Sequence, residues 1–112
     1  MPRTGQQAVT ANNQFIANGI TISPDAPVAG ESVRVIYDGL LAKSGASDVL
    51  AHVGFGDKWE NVFDYRMVKT VTGFEATIQV PSNTNTLNVC FKDCANNWDN
   101  NSGMDYSFGV SQ

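Results

Sequence analysis

The sequence predicts an all-β protein folded as an antiparallel, immunoglobulin-like β-sandwich. Three observations carry that reading. About seven short segments alternate apolar and polar residues, the period-2 signature of strands with one buried face. Turn residues rich in Gly, Pro, Asn and Asp separate these segments at roughly even spacing. No segment keeps a helical period over three turns.

The elements follow in order. Residues 1–25 read as an N-terminal arm or an added strand, and residues 26–112 as the sandwich, within one domain overall. Ile20 and Ile22 alternate around Thr21 and stop at Pro24; Pro24, Pro27 and Gly30 make a turn region. Val33, Val35 and Tyr37 alternate with Ser32, Arg34 and Ile36, and the strand closes at Asp38-Gly39. The stretch from Leu40 to Gly45 reads as a loop with room for one helical turn. Val49, Ala51, Val53 and Phe55 share one face of the next strand, with Leu50, His52 and Gly54 on the other. Residues 54–58 form a turn, and residues 59–71 lean towards β, with Val62, Phe63, Tyr65, Met67 and Val68 as apolar bulk. Phe74, Ala76, Ile78 and Val80 alternate cleanly before Pro81. Leu87, Val89 and Phe91 alternate with Asn88, Cys90 and Lys92, and Tyr106, Phe108 and Val110 make the last strand.

Composition narrows the function. At 112 residues the chain holds one domain with one core, and 42% hydrophobic against 16% charged residues exclude disorder. The net charge is −4 and no Lys/Arg cluster occurs, so neither nucleic acid nor an anionic membrane is an expected partner. No apolar run approaches the ~18 residues of a spanning helix, and residues 1–7 lack the apolar core of a signal peptide. Cys90 and Cys94 stand four apart, and the one histidine is His52. This is no metal set, and no metal or cofactor is expected. A Cys90–Cys94 bridge would close a very small loop and stabilise little, so two reduced thiols are the favoured reading.

The most telling stretch is Asn96-Asn97-Trp98-Asp99-Asn100-Asn101-Ser102-Gly103-Met104-Asp105-Tyr106. Buried, these amides and carboxylates would all need partners, so the Trp98 ring is expected at or near the surface. An indole ringed by amides suits a ligand with apolar faces and a polar rim, which is the build of a pyranose sugar. Trp59, at a loop edge, is a second candidate platform, and alternation sets His52 outside the core. Asp93, Asp99 and Asp105 do not read as the acid/base pair of a glycosidase, because nothing nearby would raise a carboxyl pKa. Asp93 and Asp99 are expected to brace loops through backbone N–H groups. No catalytic residue and no enzymatic activity are expected. The competing reading is a protein-interaction sandwich that uses the same aromatic patch.

The run from Leu87 to Asp93, then Asn97-Trp98-Asp99-Asn100-Asn101, Gly103 and Tyr106, resembles the signature of starch-binding carbohydrate-binding modules of families 25 and 53. Glycogen-targeting modules of phosphatase regulatory subunits carry a similar Trp-Asp-Asn-Asn run. The likeness spans about residues 26–110. It implies a non-catalytic sandwich that binds α-1,4-glucans: starch, glycogen or malto-oligosaccharides. It places the ligand on His52, Trp59 and Trp98, with Asn100 or Asn101 bonding glucose hydroxyls or bracing the loop. Asp105 stands where the motif commonly has Asn. A glucan-active enzyme, attached or associated, is the expected partner. If the chain is complete, the reading is an intracellular glycogen binder; if it is a fragment, an extracellular amylase is the parent.

Overall fold

A computed structural model describes residues 14–112, so most of the expected N-terminal arm, residues 1–13, lies outside the described residues. A single 3-10 turn at Ile16–Asn18 leads into nine strands: β1 (Ile20–Ser23), β2 (Ser32–Tyr37), β3 (Val49–Phe55), β4 (Glu60–Arg66), β5 (Val68–Thr70), β6 (Gly73–Gln79), β7 (Thr86–Asp93), β8 (Trp98–Asp99) and β9 (Tyr106–Gly109). One short helix, α1 (Leu40–Lys43), follows β2 where room for a single helical turn was expected.

The strands form two antiparallel sheets. One runs β1-β2-β6-β5. The other runs β4-β3-β7-β8, with β9 also paired to β7. Strand β7 is long enough to serve both: Phe91 and Lys92 pair with Asp99 and Trp98, while residues 86–89 pair with β9. The chain passes between sheets after β2, at Met67 between β4 and β5, and after β6. This gives the A-B-E-D and C′-C-F-G arrangement of immunoglobulin-type sandwiches.

The core is where alternation put it. Ile20, Ile22, Val33, Val35, Tyr37, Phe74 and Ile78 face Val49, Val53, Leu87, Val89, Phe91, Tyr106 and Phe108, all at most 2% exposed. Each such aliphatic or Phe side chain contributes about 1.5–3 kcal/mol in burial. Strand β4 departs from the expected apolar bulk. Val62 and Phe63 are roughly half exposed, Val68 on β5 more so, and of that group only Met67 is buried. The reason is position: β4 is the outer strand of its sheet, and its Glu60, Asp64 and Arg66 blunt an open edge. A register shift against Val53 and Phe55 also gives β4 an extra residue there, where Asn61 takes a left-handed φ of 54°.

The outward face of β3-β7 carries the polar side of the alternation, yet it is not bare. Asn88 is 6% exposed: its amide donates to the Gly56 carbonyl at 2.8 Å and accepts from the Ser107 hydroxyl at 2.7 Å. Cys90, opposite His52 in the ladder, is also buried, and burial pushes its thiol up to about 12. Cys90 and Cys94 are both free thiols.

Candidate functional site

His52 stands near the middle of β3, on the outer face. Across the ladder it pairs with Asp64, whose carboxylate lies 2.5 Å from Nδ1. A carboxylate only accepts, so Nδ1 carries its proton and the ring is held in one orientation. Nε2 has no partner among the described residues.

Trp59 reaches His52 from the turn after β3. The turn is closed by Trp59 N–H donating to the Gly56 carbonyl, and Trp59 itself sits at φ 54°, a left-handed conformation costing about 1 kcal/mol or more. That backbone lays the indole flat on the strand at Gly54. A Cβ at position 54 would stand 2.3 Å from the Trp59 Cε3 atom, so only glycine leaves room for the ring. The rings of Trp59 and His52 then stack, centroids 5.6 Å apart at 26°.

Trp98 approaches from the other side. It is outward on β8, 41% exposed, with its centroid 5.6 Å from His52 at 89°. The two indoles, one nearly parallel to the imidazole and one perpendicular to it, are therefore steeply inclined to each other. The Lys92 ammonium, its ladder neighbour, lies 5.2 Å from the Trp98 centroid in a cation–π contact.

Trp98 owes its direction to the next residue. Successive strand residues point to opposite faces, and Asp99 points in. Its two carboxylate oxygens accept the hydroxyls of Tyr37 at 2.6 Å and Tyr106 at 2.8 Å, and Tyr37 in turn accepts the Leu41 N–H at 3.0 Å. Burial, then the bond to Asp99, pushes both phenols well above their ordinary value, so both remain donors. This corrects the expectation that Asp99 braces a loop through backbone N–H groups. The partners that claim it are side chains 62 and 7 residues away, inside the sandwich. Asp93 does take the loop-bracing role: it accepts the N–H groups of Ala95 and Asn97 and the Asn97 amide. These bonds, the Asn97 side chain first, hold its carboxyl below the ordinary range.

Asn100 and Asn101 lie in the tight loop that follows. Asn100 Oδ1 accepts from the Gly103 N–H at 3.0 Å, and Asn101 Nδ2 donates to the Asp105 carbonyl at 3.1 Å. Each amide braces the loop with one atom and keeps the other without a partner among the described residues. Asp105 takes part through its backbone, its N–H donating to the Asn100 carbonyl at 2.7 Å.

The five residues singled out from the sequence therefore fall into two groups. His52, Trp59 and Trp98 form one contiguous aromatic cluster, and Asn100 and Asn101 lie in the loop beyond Trp98. Sequence reasoning missed Asp64, Lys92 and Gly54 as parts of this surface. The signal was present for Lys92, which alternation sets on the same face as His52. For Asp64 and Gly54 it lay only in the register of β4 and the path of the turn. Among the described residues no group of three or more His, Cys, Asp or Glu side chains is placed to hold a metal ion. No described helix is long and apolar enough to cross a membrane.

The model of a known family, the starch/carbohydrate-binding module of family 53, matches residues 33–89, half of the chain. The protein belongs to that family. The match begins within β2, takes in His52, Trp59, Asp64 and the strands β3 to β6, and ends within β7 before Trp98. An alpha-amylase of Clostridium acetobutylicum is 41% identical over 103 residues, which is 89% of this chain but 13% of the amylase. The family 53 module thus spans about one eighth of that relative. No solved structure matches it at a significant level.

Proposed function

We propose that this family 53 module binds α-1,4-glucan, as starch, glycogen or malto-oligosaccharide, on the cluster of Trp59, His52 and Trp98, without catalysing a reaction. The observation that carries the proposal is the mutual inclination of the two indoles around one imidazole. An α-1,4 chain curves as it winds and offers a curved apolar face. Two inclined rings follow that curve, whereas a row of coplanar rings suits a flat β-1,4 chain. His52 Nε2 and the Lys92 ammonium border the rings and supply polar groups that can hydrogen-bond glucose hydroxyls.

Each stacked ring contributes about 1 kcal/mol beyond its buried area. A shallow site of this kind gives a Kd roughly between 10 μM and 1 mM. Tight retention on a polymer then comes from linkage to a second binding unit or to a glucan-active enzyme, in keeping with the alpha-amylase that contains a similar segment.

The test is calorimetric titration with maltoheptaose, cellohexaose as the control, and Trp98→Ala as the variant. Heat with maltoheptaose alone, with the affinity lowered about fivefold or more in the folded variant, is the expected result. No heat at millimolar maltoheptaose, or equal binding of cellohexaose, overturns the proposal.

A further inference from the structure

We infer that the glucan path does not stop at Trp98 but continues past it into a preformed cleft beside α1, so that the module carries a second set of subsites for longer chains. This rests on the glucan reading above and deepens it.

The cleft has a volume of about 510 Å³. That lies within the range of small-molecule binding clefts, roughly 300–1,000 Å³. One wall is made by Trp98, Asn100 and Asn101, the other by Asn18, Leu40 and Lys43. Trp98 belongs both to the lining of this cleft and to the ring cluster with His52, so the two surfaces share that residue.

The lining has the chemistry of a sugar site. Leu40 is 61% exposed while its neighbour Leu41 is buried, so α1 turns an apolar side chain to water beside the cleft. Polar groups surround it. Asn100 Nδ2 and Asn101 Oδ1 are the amide atoms left over after loop bracing. The Lys43 ammonium is held near the cleft by Asp38 at 3.5 Å. A neutral polyhydroxylated chain uses such donors and acceptors without needing a net charge.

The walls are also fixed to each other. The Leu41 N–H bonds to the Tyr37 hydroxyl, which bonds to the Asp99 carboxylate next to Trp98. One buried hydrogen-bond chain therefore ties α1 to the Trp98 loop. In that loop Asn101, Ser102 and Asp105 all hold left-handed φ values of 56–60°, a geometry that persists only where the surroundings enforce it. A cleft with tethered walls loses little freedom when a ligand enters.

The experiment compares maltotriose with maltoheptaose on the parent protein and on the double variant Leu40→Ala/Lys43→Ala, whose two side chains are exposed and remote from the core. The parent is expected to bind maltoheptaose about three- to tenfold more tightly than maltotriose. The double variant is expected to lose that gain while binding maltotriose as before. In NMR spectra of the parent, the amide signals of residues 40–43 should shift with maltoheptaose and not with maltotriose. An unchanged maltoheptaose affinity in the variant, or the same loss for both sugars, overturns the inference. A parent that binds neither sugar overturns the glucan reading itself, and this inference with it.

Discussion

Replacing Gly54 with Ala tests the site through a residue with no functional group. Gly54 does not occupy the left-handed region, so its backbone accepts an alanine. The obstacle is the Trp59 ring: the new Cβ would lie 2.3 Å from Cε3 and 2.8 Å from Cδ2. Restoring an ordinary carbon–carbon separation of about 3.5 Å moves the indole by about 1 Å or more. The stack with His52, now at 5.6 Å and 26°, cannot survive that displacement unchanged. Losing one aromatic platform costs about 1 kcal/mol, or about fivefold in Kd. Stability should fall modestly at most: the displaced ring loses packing against the strand, and the preference for alanine over glycine in a strand interior, roughly 0.5–1 kcal/mol, offsets part of that loss. The expected result is therefore weaker maltoheptaose binding by titration calorimetry, altered tryptophan fluorescence, and an unchanged or slightly lowered Tm. Trp59→Ala sets the ceiling of the loss. A Gly54→Ala protein with the parent's Kd, beside a weakened Trp59→Ala protein, would refute the contact; full affinity in both would refute Trp59 as a platform.

Three further outcomes follow from the same structure. Asp99→Ala leaves two buried tyrosine hydroxyls without their acceptor, which should cost about 3 kcal/mol or more, seen as a fall in Tm of roughly 10–20 °C; a shift of only a degree or two would show that the carboxylate is not the anchor described. Asp93 has its folded pKa lowered by the Asn97 side chain and the backbone N–H groups around it. A lowered folded value means its contribution is complete above the unfolded pKa and fades as pH falls through the folded one, so stability should drop below about pH 4. Asp93→Asn should flatten that acid limb in denaturation curves recorded from pH 6 to 2, and an identical limb in both proteins would argue against the assignment. Of the two thiols, Cys94 is exposed while Cys90 is buried with its pKa pushed up to about 12. A thiol reagent at neutral pH should therefore modify one group per native chain and two per unfolded chain.

How much of this was legible in the chain differs by element. Strands β2, β3, β6 and β7 were readable because each has one face on the core, and burial writes a period of two into such a segment. The same logic put His52 outside the core, and the polar neighbours of Trp98 put its ring at the surface, where the structure has them. Strand β4 was blurred because an edge strand with nearly every residue exposed needs no alternation. Asp99 was misread for a different reason. A carboxylate among asparagines looks like a loop brace, and nothing near it in the chain announces Tyr37, 62 residues away.

The sequence by itself determined the core-facing side of β2, β3, β6 and β7, because hydrophobic burial acts residue by residue along a strand with one buried face. It also carried the amide-flanked indole whose chemistry points to a sugar. Only the tertiary structure decided that Trp59, His52 and Trp98 meet, at what inclination, and that Gly54 and Asp99 hold two of them there. Those facts depend on the pairing of β3 with β7, of β7 with β8, and on the path of one tight turn. Distances between residues far apart in the chain are set by register and packing, which no local pattern encodes.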